Sequence, residues 1–241
     1  MESSNNKMKV DVWSDIMCPF CYIGKRHYET AIKQFPNSDE IEIVWHSFQL
    51  DPTIPMESTK QQNVFQYLAD RKAISIEQSL KMYDGVLQMA KSAGLEFNLD
   101  KAVVANSFNA HRVIQMAKTK GKGDEAEESL FRAYFIEGKD FGNHEVLAEQ
   151  GKNIGLTDID IQEALTNDDY AYHVNQDIQE AQNLGIRGVP FFIFNRKYSI
   201  SGAQPIDVFL KCLEKSYQEW QNINPYSNLK LGNTIDKENK P

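Results

Sequence analysis

Two cysteines, Cys18 and Cys21, flank Pro19 and Phe20 where an alternating stretch, Val10-Asp11-Val12-Trp13, gives way to a helical one starting Tyr22-Ile23-Gly24-Lys25. Thiols so spaced at a helix start can close a small disulfide ring and reopen it. The first faces the unpaired N–H groups and positive dipole end of the helix, which favour a thiolate. Pro19 suits a first turn whose N–H groups lack intrahelical partners. The pattern predicts an exposed nucleophile at Cys18 and a more buried resolving thiol at Cys21. Two other uses compete. Half a zinc site needs two more Cys or His ligands at suitable spacing, but the only other cysteine is Cys212 and no close-spaced histidine pair exists. A structural disulfide across so short a loop would constrain little chain.

The elements that must position these thiols can be read along the chain. Strand, CxxC, helix (Pro19 to about Phe35), turn (Pro36 to Asp39) and a second alternating strand, Ile41 to His46, imply a parallel pair with a right-handed crossover. Helical periodicity then dominates. Helices are predicted near Thr59 to Arg71, from Ser75 to Gly94 with Leu80, Tyr83, Leu87 and Ala90 inward, from Lys101 to Lys120, and from Asp124 onward. Further helices are predicted at Asn143 to Gly155, Thr157 to Leu165 and Asp168 to Leu184. Gly188-Val189-Pro190 leads into an apolar strand, Phe191 to Phe194, a return strand, Tyr198 to Ile200, and a last helix after Pro205. The organisation predicted is an α/β domain from segments 8–55 and 168–221, a helical insertion at 56–167, and flexible tails at 1–7 and 222–241.

Composition narrows the function. The chain has 241 residues and a formal charge of −8, without a basic stretch interleaved with aromatics, which argues against a nucleic-acid partner. No apolar run is long enough to cross a bilayer, so no membrane partner is expected. The polar start, Met1 to Lys7, has no signal-peptide core, and three cysteines make no extracellular disulfide framework. A cytoplasmic protein whose cysteines do chemistry is expected. Pro190, lacking an N–H, is tolerated only at the first residue of its strand. A cis peptide there would turn the Val189 backbone groups outward, where they could pair with an extended substrate as an added strand; an ordinary trans proline at a strand entrance is the alternative.

Taken together, Ser14 to Gly24, Phe48-Gln49-Leu50-Asp51-Pro52, Ala110-His111-Arg112, Gly188 to Phe192 and Ser201 to Gln204 resemble the DsbA-like branch of the thioredoxin superfamily, most nearly its FrnE-type cytoplasmic subfamily. The resemblance spans about Met8 to Trp220. It implies a thioredoxin fold with an inserted all-helical domain, and thiol–disulfide exchange with Cys18 as nucleophile, Cys21 as resolving thiol and Pro190 in cis. It also implies disulfide- or thiol-bearing protein substrates, glutathione as a candidate co-substrate, and no cofactor or metal beyond the dithiol pair. Pro19, Phe20, Val189, Asn106 and His111 are the implied substrate-contacting residues, the last two from a helix walling the groove over the CxxC. His111 has a hydrogen-bonded structural role as its alternative. Phe20 stands where periplasmic DsbA carries His, so a less activated thiol and a less oxidising disulfide are expected.

Other residues read as structural. Asp15 caps the helix entry or acts on Cys18 electrostatically; Cys212 is a buried small hydrophobe; His27, His46, His144 and His173 face solvent; Glu127-Glu128 and Asp168-Asp169 sit at helix starts. Two rival functions remain. A glutathione-dependent isomerase or transferase of the hydroxychromene-carboxylate isomerase or kappa class shares the architecture but typically places Ser where Cys18 stands. A non-catalytic polypeptide-binding module would use the groove without the sulfurs.

Overall fold

The computed structural model describes residues 7–56 and 62–224. The chain starts with strand β1 (Met8–Ser14), helix α1 (Pro19–Gln34) and strand β2 (Ile41–Ser47), with β2 parallel to β1. After a long helical excursion it returns through helix α8 (Asp168–Asn183), strands β5 (Phe191–Phe194) and β6 (Tyr198–Ser201), and helix α9 (Ile206–Ile223). The sheet runs β2-β1-β5-β6, with β5 antiparallel to both neighbours.

Both sheet faces are covered, as a parallel pair requires. Val10 and Val12 point to one face, where Tyr28 and Ala31 of α1 and Phe209, Leu213 and Tyr217 of α9 meet Phe192 and Phe194. Asp11 and Trp13 point to the other face, beneath α8. That face corrects one expectation. His46, read as solvent-facing, is buried. It stacks on Trp13 at 4.4 Å, with Nδ1 2.8 Å from Asp177 Oδ1 and Nε2 2.9 Å from Asp11 Oδ1. Alternation along β2 placed the polar side chain correctly on the second face, but cannot tell that a distant helix covers it.

The excursion carries α2 (Val64–Lys72), α3 (Ile76–Ser92), α4 (Phe108–Thr119), α5 (Gly123–Phe131), α6 (His144–Asn153) and α7 (Asp158–Thr166). A π-helical turn, Arg132–Ile136, extends α5. The insertion is not all-helical. Strand β3 (Gln62–Asn63) pairs antiparallel with β4 (Val103–Val104), so the helices expected from Thr59 and Lys101 start later, at Val64 and Phe108. Asn63 Oδ1 accepts from Phe65 N at 2.8 Å and Asn106 Oδ1 from Phe108 N at 2.9 Å, fixing both starts. On α3 the expected inward set is also corrected. Ser79, Val86 and Ala90 are buried, while Leu80 is 43% exposed. The last helix runs on through Ile223; the terminal segments 1–6 and 225–241, including most of both expected tails, lie outside the described residues.

The α8 lock is pH-dependent. Burial alone would lower the His46 pKa, but its bonds to Asp11 and Asp177 outweigh this and raise it. A raised folded value contributes stability that is full below the ordinary histidine range, about 6.5, and is lost as pH rises through the folded value. We expect the urea midpoint to decline as pH climbs above neutrality, and His46→Asn to flatten that limb while lowering the plateau. An unchanged slope in the variant would rule the assignment out.

Candidate active site

Cys18 is the N-cap of α1, with Pro19 at the first helical position, and Cys21 N donates to Cys18 O at 3.0 Å to close the first turn. Both cysteines are free thiols, one helical turn apart at the start of α1. Burial raises the Cys21 pKa well above the ordinary thiol value, the neighbouring Cys18 adds to this, and the Asp15 backbone and Ser14 hydroxyl oppose it. Cys18 is not the exposed residue expected, being only 3% accessible. The insertion and the 188–189 segment close over it, leaving its access to one groove.

That groove has a volume of about 540 Å³ and is mostly apolar. Met17, Cys18, Pro19 and Phe20 form one side, Tyr83 and Val86 of α3 the opposite wall, and Gly188 and Val189 the end, with Arg71 and Lys72 adding positive charge. Cys18 Sγ donates to Val189 O at 3.4 Å. The Val189–Pro190 peptide is cis, and Pro190 is buried at the base of β5. Gly24 allows this approach, because a Cβ there would lie 3.0 Å from Pro190 Cγ. The sequence thus brings Cys18, Pro19, Phe20 and Val189 to the groove, with Cys21 and Pro190 behind it.

Asn106 and His111 take a different place. Neither lines the groove. Asn106 accepts from Gln49 Nε2 at 2.9 Å and donates to Ile54 O at 2.5 Å. His111 is fully buried on α4, with Nε2 2.8 Å from Phe48 O and 3.7 Å from Asp15 Oδ1. Both hold the 48–54 loop from beneath. Asp15 holds the same loop, accepting from Leu50 N at 2.6 Å through Oδ2 and from Met17 N at 3.3 Å through Oδ1.

One residue beside the thiols was misread. Glu127, read only as an acid near a helix start, is fully buried, and Ser14 Oγ donates to its Oε2 at 3.3 Å. The usable signal was position. Glu127 lies three, four and seven residues before Leu130, Phe131 and Tyr134, on the apolar face of α5. A second cluster, His46, Asp177 and Glu180, brings ligand-type atoms within 4.8 Å. Its members are engaged with Asp11, Ser47 N, Gln115 and Arg196, so they read as a salt-bridge network.

Fold and site define a thioredoxin-fold dithiol protein with a large insertion, and comparison with known proteins agrees. Residues 9–214 match the DSBA-like thioredoxin domain model, and the chain belongs to that family. It is similar to the crystal structure of a probable DsbA oxidoreductase, SCO1869 from Streptomyces coelicolor, at 34% identity and TM-score 0.82, covering 88% of this chain and 91% of that one. The uncharacterized protein YwbO of Bacillus subtilis is 27% identical over 212 residues, 85% of this chain and 94% of that protein. The cytosolic disulfide reductase DsbM of Pseudomonas aeruginosa, solved also with GSH, shares the fold at 18% identity and TM-score 0.62, covering 88% and 99%.

The Asp15 arrangement yields a prediction. An Asn side chain has one acceptor oxygen, so Asp15→Asn leaves either the Leu50 or the Met17 N–H unpaired and removes the charge facing His111. Bonds to a charged group contribute about 1.5–3 kcal/mol each. The variant should lose on the order of 3 kcal/mol in chemical denaturation; a loss within error would show that the carboxylate does not hold the loop.

Proposed function

We propose that the protein is a thiol:disulfide oxidoreductase working through its Cys18-Pro19-Phe20-Cys21 centre. The Cys18 thiolate attacks one sulfur of a substrate disulfide, forming a mixed disulfide and releasing the other substrate sulfur as a thiolate. Cys21, as thiolate, then attacks Cys18 Sγ. The Cys18–Cys21 disulfide forms, the second substrate thiolate leaves, and the substrate is reduced by two electrons as the pair is oxidised. Run backwards, the same steps oxidise a substrate dithiol. The observation that carries this reading is the pair of free thiols one turn apart at the start of α1, the outer one opening onto an apolar groove beside Val189 O.

Protein disulfides or thiols are the substrate class, held along Phe20, Tyr83, Val86 and Val189. Glutathione is a second substrate, a reading supported by the structure of the fold relative DsbM with GSH and by Lys72 at the groove, whose charge suits a carboxylate. No cofactor beyond the dithiol takes part, and neither nucleic acid nor membrane is a partner. A cytoplasmic location fits three cysteines used for chemistry rather than a disulfide framework. Among the described residues no helix is long and apolar enough to cross a membrane.

Insulin-disulfide reduction and trapping test this reading. Cys18→Ser should abolish reduction, and Cys21→Ala should accumulate mixed disulfides that vanish on adding reductant. Reduction unaffected by either change would sink the proposal, and glutathione-dependent isomerase or transferase turnover surviving Cys18→Ser would replace it.

A further inference from the structure

Cys18 is 3% accessible, yet the proposed substrates include disulfides carried by proteins. The groove onto which its sulfur opens holds about 540 Å³, room for a small disulfide but not for the loop of a bulky polypeptide. One wall must give way to admit the larger substrate. The wall facing Cys18 is α2 and α3, which are tied to each other. Ser79 Oγ donates to Phe65 O at 2.7 Å, and the Phe65 ring meets Tyr83 edge-on at 5.1 Å.

This wall is fastened to the 48–54 loop by Asp51, whose two oxygens have separate duties. The residue is buried. Oδ1 stays within the loop, accepting from Thr53 N at 3.0 Å and from Thr53 Oγ1 at 2.5 Å. Oδ2 reaches across to α2, accepting from the Tyr67 hydroxyl at 2.6 Å and from Arg71 Nη1. Arg71 also donates to Leu50 O at 2.9 Å through Nη2 and to the Tyr67 oxygen at 3.2 Å through Nη1. Among the described residues these are the hydrogen bonds and ion pairs that α2 makes outside the insertion. Tyr67, Arg71 and Leu50 all line the groove, so the fastening is built from the side chains and loop that enclose the sulfur.

Resting on the oxidoreductase reading, we propose that Asp51 determines which disulfides reach Cys18. While Oδ2 holds Tyr67 and Arg71, the groove stays narrow and passes small disulfides. A disulfide on a polypeptide reaches the sulfur only in the fraction of molecules in which α2 has parted from Asp51 and taken α3 with it. Its rate is scaled down by that fraction. Burial would raise the Asp51 pKa, but Thr53, Tyr67 and Arg71 outweigh it and hold it at about 2. The carboxylate therefore keeps its charge at every pH at which thiols exchange.

Asp51→Asn separates the two duties. Its remaining oxygen can keep the Thr53 bonds, while an amide nitrogen in place of Oδ2 cannot accept from Tyr67 or Arg71. The pre-reduced protein is mixed with an excess of bis(2-hydroxyethyl) disulfide or of insulin. Loss of the free Cys18 thiol is followed by acid quench, alkylation and mass spectrometry. The variant should react about tenfold faster with insulin, as a tenfold rise in the open fraction requires, and within about twofold of wild type with the small disulfide. Tyr67→Phe removes one of the two bonds and keeps the ring. It should shift the same ratio in the same sense by a smaller factor, and it carries the test if Asp51→Asn does not fold. An insulin rate unchanged in the soluble variants, or both rates moving by one common factor, would overturn the gate and leave the oxidoreductase reading standing. Wild-type Cys18 that reacts with neither disulfide would overturn both.

Discussion

Burying a carboxylate away from water is costly unless its oxygens are engaged, and Asp15 engages both by binding the backbone on both sides of the active-site turn. Its two oxygens draw the residues just before Cys18 against Leu50, and His111 closes the arrangement from α4. Burial would lower the His111 pKa, but Asp15, then Glu127 and Phe48 O, more than offset this and raise it. The position of the Cys18 sulfur follows from these contacts, together with the close approach of α1 to Pro190 that Gly24 permits. Loosening this carboxylate would let the loop, the turn and α4 drift separately, and the groove would lose one wall.

What could be read from the residues alone was local. Cysteines at a strand-to-helix junction, a proline at a strand entrance, and helices with strong apolar periodicity each carry their physics within a few positions. The sheet and its order followed from those. What escaped depends on partners far along the chain. The alternation of β2 says that His46 and Trp45 face opposite ways, but not that Asp177 arrives to bury the histidine. The Val103–Val104 and Gln62–Asn63 pairing is two residues long, too short to leave a periodic trace. Cys18 was expected at the surface because the CxxC motif specifies the turn and not the α3 wall across from it.

The inserted helices are therefore part of the site and not an appended module. Tyr22, next to Cys21, stacks on Phe131 at 5.0 Å, and its hydroxyl donates to Glu128 Oε1 at 2.8 Å. Its pKa is raised by burial and by Glu128, which keeps the phenol protonated as a donor. The aromatic set continues through Phe97 and Phe135, 4.6 Å apart. A helix carrying the thiols and a helix carrying the buried acid thus share one apolar seam.

Lys25 sets a mechanical limit on that seam. Its side chain is 2% exposed, and its ammonium is shared among Glu29 of its own helix and Asp124 and Glu128 of α5. Swinging α5 away would break the pairing of a buried ammonium with Asp124 and Glu128, so this side of the molecule behaves as a fixed jaw. Any breathing that admits a bulky polypeptide falls to the opposite jaw, α2 and α3, which presents Leu80 and Met89 to water and Met82 to the groove.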